Sequence, residues 1–155
     1  MEFRYEAVQV PAMRPASFGA SRPFPMIVVA AVIERNGKIL IGQRRRDDRH
    51  ALKWEFPGGK VEPGETPRAA LVRELSEELD IQAVLGQEIT RYTYRYSSRP
   101  AFELIFFRVT QWEGEPRNRV FESIEWVEPQ ALPGYDFLDG DVEFVRWLAR
   151  AGGRR

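Results

Sequence analysis

Short apolar runs separated by polar turns cover most of the chain beyond residue 25, and this pattern predicts a strand-rich fold. Residues 26–34 are rich in β-branched side chains, which is typical of a buried strand. Asn36 and Gly37 follow this run, and because both tolerate a positive φ they predict a hairpin turn into a strand at residues 38–43. Later runs predict further strands at residues 89–96, 102–111 and 123–127, of which the first two are expected to pair.

A break and a helix are predicted between these strands. The Pro-Gly-Gly sequence within residues 54–60 interrupts regular structure, so no strand or helix is predicted there. Thr66 followed by Pro67 predicts a helix start, since threonine caps free N–H groups and proline fits the first helical position. The helix is predicted to end near residue 79. One apolar stripe recurs on it every four residues, formed by Leu71, Leu75 and Leu79.

The two ends of the chain differ from its middle. Residues 1–25 hold four prolines and predict an irregular N-terminal arm. A closing helix is predicted at residues 142–149, with Asp141 as its candidate N-cap, before a tail at residues 151–155 that is expected to fray. Residues 26–150 therefore form one predicted domain of the α+β class, with strands and helices in layers.

Composition narrows the classes of partner. The chain of 155 residues carries 23 Lys and Arg against 23 Asp and Glu, whereas a duplex-binding domain usually has a basic excess. Long nucleic acid is therefore not an expected partner. Cysteine is absent and His50 is the only histidine, which excludes thiolate and multi-histidine metal sites within one chain. A bound metal would need carboxylate, carbonyl and water oxygens, which favours Mg²⁺ or Mn²⁺.

The sequence has no feature typical of membrane insertion or export. Its longest strongly apolar run, residues 26–33, is too short to span a bilayer. The N-terminal residues lack the apolar core of a signal peptide. We therefore expect a cytoplasmic protein without a membrane partner, and the sequence leaves monomer and homodimer open.

The first predicted helix carries an unusual group of acids. Glu74, Glu77 and Glu78 are spaced so that all three carboxylates project from one face, opposite the leucine stripe. Like charges at these spacings repel each other, whereas hard divalent cations bind to such a group. Spacing alone leaves two interpretations equally open: a metal site, or a solvated acidic face.

Residues 59–81 read GKVEPGETPRAALVRELSEELDI, and this segment resembles the Nudix box. That pattern is Gly, five residues, Glu, seven residues, Arg-Glu-aliphatic, any residue, Glu-Glu, any residue, Gly-aliphatic. Every position matches except the second glycine, which is Asp80 here. The glycine ends the helix in a left-handed conformation, which Asp tolerates better than most residues. We therefore expect the substitution to cost little stability and to spare the chemistry.

The resemblance implies a Nudix fold, in which a mixed β-sheet lies between helices and the box forms a loop-helix-loop. It also implies a Mg²⁺-dependent hydrolase, with Mn²⁺ as an alternative ion, because divalent cations neutralise phosphate charge and activate water. Arg73 is expected to orient Glu65 and Glu74 through charge-assisted hydrogen bonds. The implied metal ligands are the carbonyl of Gly58 and the carboxylates of Glu74, Glu77 and Glu78.

Two glutamates are candidates for the general base. Glu74 belongs to the box itself and is one of them. The distal catalytic glutamate of the family falls on Val120 in a gapless placement, which is a departure from the pattern. Glu122 lies two residues further on, and we expect it to replace the missing glutamate through a shift of the loop.

Residues 54–62 are similar to the MutT-like branch, which contains 8-oxo-dGTP and CTP pyrophosphohydrolases and sanitises nucleotide pools. This implies cleavage of a (deoxy)nucleoside triphosphate to the monophosphate and pyrophosphate. Arg44, Phe56 and Asp141 are the expected substrate-binding residues, and a carboxylate at Asp141 suits the exocyclic amine of cytosine or adenine. Arg44 is equally explained as a solvated loop residue, and Asp141 as an N-cap.

Two other functions stay open at this point. One is a Nudix hydrolase that cleaves ADP-ribose or a nucleotide sugar. The other is a non-catalytic module that binds a nucleotide, although binding alone would not require Arg73 and all three box glutamates.

Overall fold

The computed structural model describes residues 26–152, so the predicted arm at residues 1–25 and the final residues 153–155 lie outside the described part of the chain. No helix within residues 26–152 combines the length and apolar composition that crossing a membrane requires. Two 3-10 turns, Pro129–Gly134 and Asp139–Asp141, precede the last helix. In chain order the other elements are β1 (Met26–Arg35), β2 (Lys38–Gln43), β3 (Trp54–Glu55), β4 (Gly58–Lys60), α1 (Pro67–Leu79), β5 (Gln82–Tyr94), β6 (Phe102–Glu113), β7 (Ser123–Val127) and α2 (Val142–Gly152).

The first hairpin and the first helix form as their local sequence predicts. Asn36 and Gly37 both have positive φ, at 53° and 76°, and join the antiparallel strands β1 and β2. The Thr66 side chain accepts a hydrogen bond from the Ala69 N–H and caps α1. Asp80 ends α1 in the left-handed conformation, with φ of 58°, so it takes the conformation expected of the replaced glycine.

Three stretches have more regular structure than the sequence predicts. The predicted break at residues 54–60 contains β3 and β4, which pair with β2 and β1. Strand β5 begins at Gln82 rather than residue 89, because register shifts between Val84 and Thr90 interrupt the alternation that periodicity detects. Helix α2 continues to Gly152, into the segment predicted to fray.

The described strands form one mixed sheet with β1 near its middle. The order along the sheet is β3-β2-β1-β6-β5, while β4 also pairs with β1 and β7 with β2. Strands β1 and β6 are parallel, and the other pairs are antiparallel. Strand β1 therefore pairs with β2 and β4 along one edge and with β6 along the other.

Helices cover the sheet on both faces, which confirms the expected α+β architecture of a mixed sheet between helices. Val29 and Ile33 of β1 pack in one core with the leucine stripe of α1. Ala30 and Val32 face the opposite core, where Phe144 of α2 packs. The side chains of the stripe are fully buried, and each such leucine contributes about 1.5–3 kcal/mol of hydrophobic stabilisation.

Candidate active site

Helix α1 turns two of its glutamates toward the glycines of β4. The Gly58 N–H donates a hydrogen bond of 2.9 Å to Oε1 of Glu78. A Cβ added at Gly59 would lie 2.4 Å from the carboxyl carbon of Glu74, so this carboxylate lies directly against the strand backbone. A Cβ at Gly58 would lie 1.9 Å from the Val29 carbonyl oxygen. Gly58 is therefore needed for the close approach of β4 to β1, whereas Gly59 leaves room for the Glu74 carboxylate.

Arg73 lies between the glutamates of this region and engages them through its planar fork. Its Nε and Nη2 donate to the two carboxylate oxygens of Glu65, at 2.7 Å and 2.9 Å. Its Nη1 donates to Glu74 at 2.9 Å, and Nη2 also reaches the Lys60 carbonyl at 3.1 Å. These contacts are those that the resemblance implied for Arg73. They hold the pKa of Glu65 down at about 2, mainly through the Arg73 hydrogen bonds.

Glu77 occupies a different environment from its two neighbours. Its side chain is 58% exposed, and one oxygen lies 3.3 Å from Nη1 of Arg73. Within residues 26–152, no three acidic or histidine side chains converge closely enough to enclose a metal ion. Arg73 forms ion pairs with both Glu74 and Glu77. Of these two predicted ligands, Glu77 is the one that faces solvent. Metal binding by the whole set stays a prediction.

The buried carboxylates nevertheless have the chemistry of a cation site. Burial, with repulsion by Glu55 and Glu74 adding to its effect, raises the pKa of Glu78 to about 9. Burial also raises the pKa of Glu74 and of Glu55. A bound cation would relieve the repulsion among these carboxylates, and carboxylate oxygens are the donors that hard divalent cations prefer.

A cavity of about 970 Å³ extends from this acidic region to the start of α2. Residues from β1, β4, α1, the loop after β2 and the turn before α2 line it. The structure brings several predicted site residues to this one wall although they are far apart in sequence. They are Arg44, Phe56, Gly58, Glu78 and Asp141.

Asp141 lines the cavity from the turn before α2. It is only 6% exposed, and burial raises the pKa of its carboxyl well above its ordinary value, with repulsion by Glu55 adding to the effect. The residue closes the 3-10 turn before α2, and its carboxyl makes no hydrogen bond within residues 26–152. The expected capping role is therefore not seen in the described residues, and the carboxyl is available to the cavity.

Arg44 and Phe56 are both more strongly anchored than the sequence suggests. Arg44 donates to the carboxylate of Glu55 at 3.2 Å and to the Arg49 carbonyl at 2.7 Å. Its interpretation as a free, solvated arginine is therefore wrong. Phe56 is buried and packs against Phe106, Phe137 and Phe144 while lining the cavity.

The structure does not bring Glu122 to the acidic region. Its Oε1 accepts a hydrogen bond of 2.6 Å from Arg46, and this bond lowers the pKa of Glu122. Glu122 is not among the cavity-lining residues, whereas Val120 is. The backbone explains the difference, because the Glu122 N–H donates to the Gln43 carbonyl and directs this segment along β2. The proposed replacement of the distal glutamate by Glu122 therefore has no geometric support.

Glu55 is the site residue that sequence reasoning missed. It lines the cavity, pairs with Arg44 and contributes to the raised pKa of both Glu78 and Asp141. The sequence offered one indication of its role: Glu55 lies between two aromatic residues, Trp54 and Phe56, where a buried strand would normally have an apolar side chain.

The fold and the site together define a nucleotide-hydrolase type of domain, and comparison with known proteins agrees. A profile of the NUDIX domain matches residues 23–148. The chain therefore belongs to the Nudix family.

Three relatives illustrate the similarity. The CTP pyrophosphohydrolase of Escherichia coli (strain K12) is 40% identical over 118 residues, covering 76% of this chain and 87% of that protein. The 8-oxo-dGTP diphosphatase of the same organism is 39% identical over 124 residues, covering 80% of this chain and 95% of that protein. The solution structure of the E. coli ORF135 protein matches with a TM-score of 0.74 at 36% identity, covering 84% of this chain and 92% of that one.

Proposed function

We propose that this protein is a divalent-cation-dependent pyrophosphohydrolase that converts a (deoxy)nucleoside triphosphate to its monophosphate and pyrophosphate. The observation that carries this proposal is the shared cavity, which is lined by the carboxyls of Glu78 from α1, Glu55 from β3 and Asp141 from the turn before α2. Its volume of about 970 Å³ suits a ligand of nucleotide size. Relatives that share about 40% of their residues carry the names of CTP and 8-oxo-dGTP hydrolases.

The chain supplies the groups that this reaction needs. Glu74, Glu77 and Glu78, with the Gly58 carbonyl, are the proposed ligands of Mg²⁺, for which Mn²⁺ is the expected substitute. When bound, the cation neutralises phosphate charge and lowers the pKa of attacking water. Arg73 holds the carboxylate of Glu74 in place beside Gly59.

Glu74 is the proposed general base. Burial raises its pKa from the ordinary range of a glutamate, and a raised pKa makes a carboxylate a stronger proton acceptor near neutral pH. As the water oxygen bonds to one phosphorus of the anhydride between the α and β phosphates, the bridging oxygen leaves with the other product, and the water proton passes to a Glu74 oxygen. Glu122 is not proposed for this role, because it pairs with Arg46 outside the cavity.

Asp141 is the proposed reader of the nucleobase. Its raised pKa favours the neutral carboxyl, which offers one hydrogen-bond donor and one acceptor. This pair matches the amine and ring nitrogen of cytosine or adenine, so a cytosine nucleotide is the first substrate to test. Arg44 holds Glu55 beside this region, and Phe56 provides an apolar wall.

The test is a product assay with purified protein and Mg²⁺. The panel contains CTP, dCTP, 5-methyl-dCTP, dGTP, 8-oxo-dGTP, ATP, ADP-ribose and GDP-mannose, with Glu78→Gln protein and added EDTA as controls. We expect fast release of monophosphate and pyrophosphate from one triphosphate, abolished by EDTA. Turnover of only ADP-ribose or GDP-mannose would show that the substrate is ADP-ribose or a nucleotide sugar instead of a triphosphate. Binding of a triphosphate without turnover would identify a non-catalytic module.

A further inference from the structure

The turn that carries Asp141 is held by two tyrosines, Tyr92 near the end of β5 and Tyr96 just beyond it. The Tyr92 hydroxyl donates a hydrogen bond of 2.5 Å to the Gly140 carbonyl oxygen. The Gly140 N–H donates a bond of 2.9 Å to the hydroxyl oxygen of Tyr96. The Gly140 carbonyl belongs to the peptide bond that leads directly into Asp141. Tyr92 therefore fixes the peptide plane from which the Asp141 side chain departs.

Gly140 allows the tyrosines to approach the turn this closely. A Cβ added at Gly140 would lie 3.0 Å from the Tyr96 hydroxyl and 3.2 Å from Cδ1 of Tyr94. Tyr92 and Tyr94 occupy alternate positions at the end of β5, so their side chains share one side of the strand. Tyr96 lies two residues beyond the strand, and its ring packs 4.9 Å from that of Tyr94. The turn itself supplies two backbone hydrogen bonds, from the Asp141 N–H to the Leu138 carbonyl and from the Val142 N–H to the Asp139 carbonyl, and neither engages Gly140.

Tyr96 also connects this turn to the cavity wall. It lines the cavity, its ring packs 4.9 Å from the His50 ring, and it stacks nearly parallel to Phe102 at 6.0 Å. The ring is therefore anchored on both sides, and its hydroxyl is a fixed acceptor for Gly140. Burial raises the pKa of Tyr96 to about 12, so the phenol stays protonated throughout the neutral range.

We propose that Tyr92 and Tyr96 are positioning residues for nucleobase selection, because they fix the backbone of Gly140 and thereby the place of the Asp141 carboxyl in the cavity. This inference rests on the proposed function, in which Asp141 reads the base of a nucleoside triphosphate. The Asp141 carboxyl makes no hydrogen bond to another group within residues 26–152, so the backbone of the turn sets the position from which the side chain extends. Hydrogen-bond strength falls steeply with distance and angle, so a small shift of the turn weakens discrimination between bases.

The experiment compares three tyrosine variants of the full chain. Tyr92→Phe and Tyr96→Phe each remove one hydroxyl from Gly140 and keep the ring. Tyr94→Phe is the matched control, because the Tyr94 hydroxyl makes no hydrogen bond within the described residues and does not line the cavity. The readout is the ratio of kcat/KM for the preferred triphosphate to that for a triphosphate with another base.

For Tyr92→Phe and Tyr96→Phe we expect this ratio to fall by roughly threefold to tenfold, the equivalent of one hydrogen bond. The change should appear in KM, with kcat unchanged, because the acids of α1 are untouched. Tyr94→Phe should leave the ratio unaltered. In an Asp141→Asn background, the two tyrosine changes should have no additional effect on the ratio, since they act through the same carboxyl.

Amide hydrogen exchange at Gly140, resolved by NMR, supplies a readout that does not depend on turnover. Tyr96→Phe should accelerate exchange of the Gly140 N–H, and Tyr94→Phe should not. Unchanged exchange in Tyr96→Phe would overturn the inference whatever the activity. An active wild-type protein whose variants keep the original base ratio would overturn the inference alone, whereas a wild-type protein that cleaves no triphosphate would overturn the proposed function with it.

Discussion

Glu78 and Gly58 are joined by a hydrogen bond of 2.9 Å from the glycine N–H to a carboxyl oxygen of the glutamate. Gly58 is held in β4, where it pairs with Ala30 of β1. Helix α1 is therefore tied to the central strand through an acidic side chain as well as through its leucines. This bond places a buried carboxyl in the wall of the cavity.

Glu78→Gln tests the role of charge at this position. The amide keeps the size of the side chain and an oxygen that accepts from Gly58, but it removes the carboxylate that a cation would bind. We expect kcat/KM to fall by more than about 100-fold, because even residues that only orient metal ligands cost about 10–100-fold. Steady-state assays with Mg²⁺ measure this change, and Glu143→Gln on the exposed surface of α2 is the control. A loss below about tenfold would exclude Glu78 as a metal ligand.

The same residue predicts how stability depends on pH when cations are removed with EDTA. The folded protein keeps a proton on Glu78 up to about pH 9, whereas the unfolded chain releases it near the ordinary value of 4.5. This contribution is complete below the unfolded pKa and is lost as the pH rises through the folded pKa. Glu65, with its pKa of about 2, acts with the opposite sign but only in acid.

We therefore expect Tm to fall as the pH rises from about 5 to 9, and less steeply in Glu78→Gln, whose amide does not titrate. Thermal unfolding at a series of pH values measures both slopes. Glu143→Gln should retain the wild-type slope. Equal slopes in Glu78→Gln and wild type would show that Glu78 is not held protonated by the fold.

Gly59→Ala is expected to reduce activity without unfolding the protein. The new Cβ would lie 2.4 Å from the carboxyl carbon of Glu74, so the end of this flexible side chain must move while the backbone is spared. We expect a folded protein with a small change in Tm and a kcat/KM reduced by about 100-fold, as misplacement of a catalytic group by 1 Å costs on this scale.

Two other glycines provide the comparison. Gly134→Ala meets no atom within 4 Å and should leave kcat/KM and Tm unchanged. Gly58→Ala would place its Cβ 1.9 Å from the Val29 carbonyl oxygen, which belongs to the backbone, and should destabilise the protein itself. Full activity in Gly59→Ala would mean that the position of Glu74 beside β4 is irrelevant to catalysis.

Arg73→Lys tests whether the planar fork matters beyond its charge. Lysine keeps the positive charge but cannot bond to both oxygens of Glu65 and to Glu74 at the same time. We expect kcat to fall by about 10–100-fold, the usual cost of losing an orienting group. The control is Arg68→Lys on the same helix, whose guanidinium bonds to the Gly86 carbonyl away from the acids. An equal response of the two variants would contradict an orienting role for Arg73.

The hairpin, the first helix and its acidic face were predictable because they depend on neighbours close in sequence. Asn36 and Gly37 select the hairpin through their own φ, and Thr66 and Asp80 cap α1 through bonds within a few residues. The long β5 was not predictable, since its bulges break the alternation along the strand.

The order of the site was less accessible to sequence reasoning. Glu77 and Glu78 lie three and four residues after Glu74, so helical spacing alone predicts the same exposure for both. In the structure Glu77 is exposed, whereas Glu78 is buried against Gly58. Glu122 was expected near the acids and instead pairs with Arg46, because β2 directs the backbone of its segment. Glu55 had no predicted role, yet its charge contributes to the raised pKa of both Glu78 and Asp141.

The sequence by itself determined the family, both ends of α1 and the residues of its acidic face, because these follow from residue type and local spacing. The tertiary structure alone decided which carboxyls are buried and which residues line the cavity. Burial depends on the packing of β4 against β1 and α1, and the cavity joins residues as distant in sequence as Arg44 and Asp141. Only the folded sheet brings such residues together, since no local spacing relates one to the other.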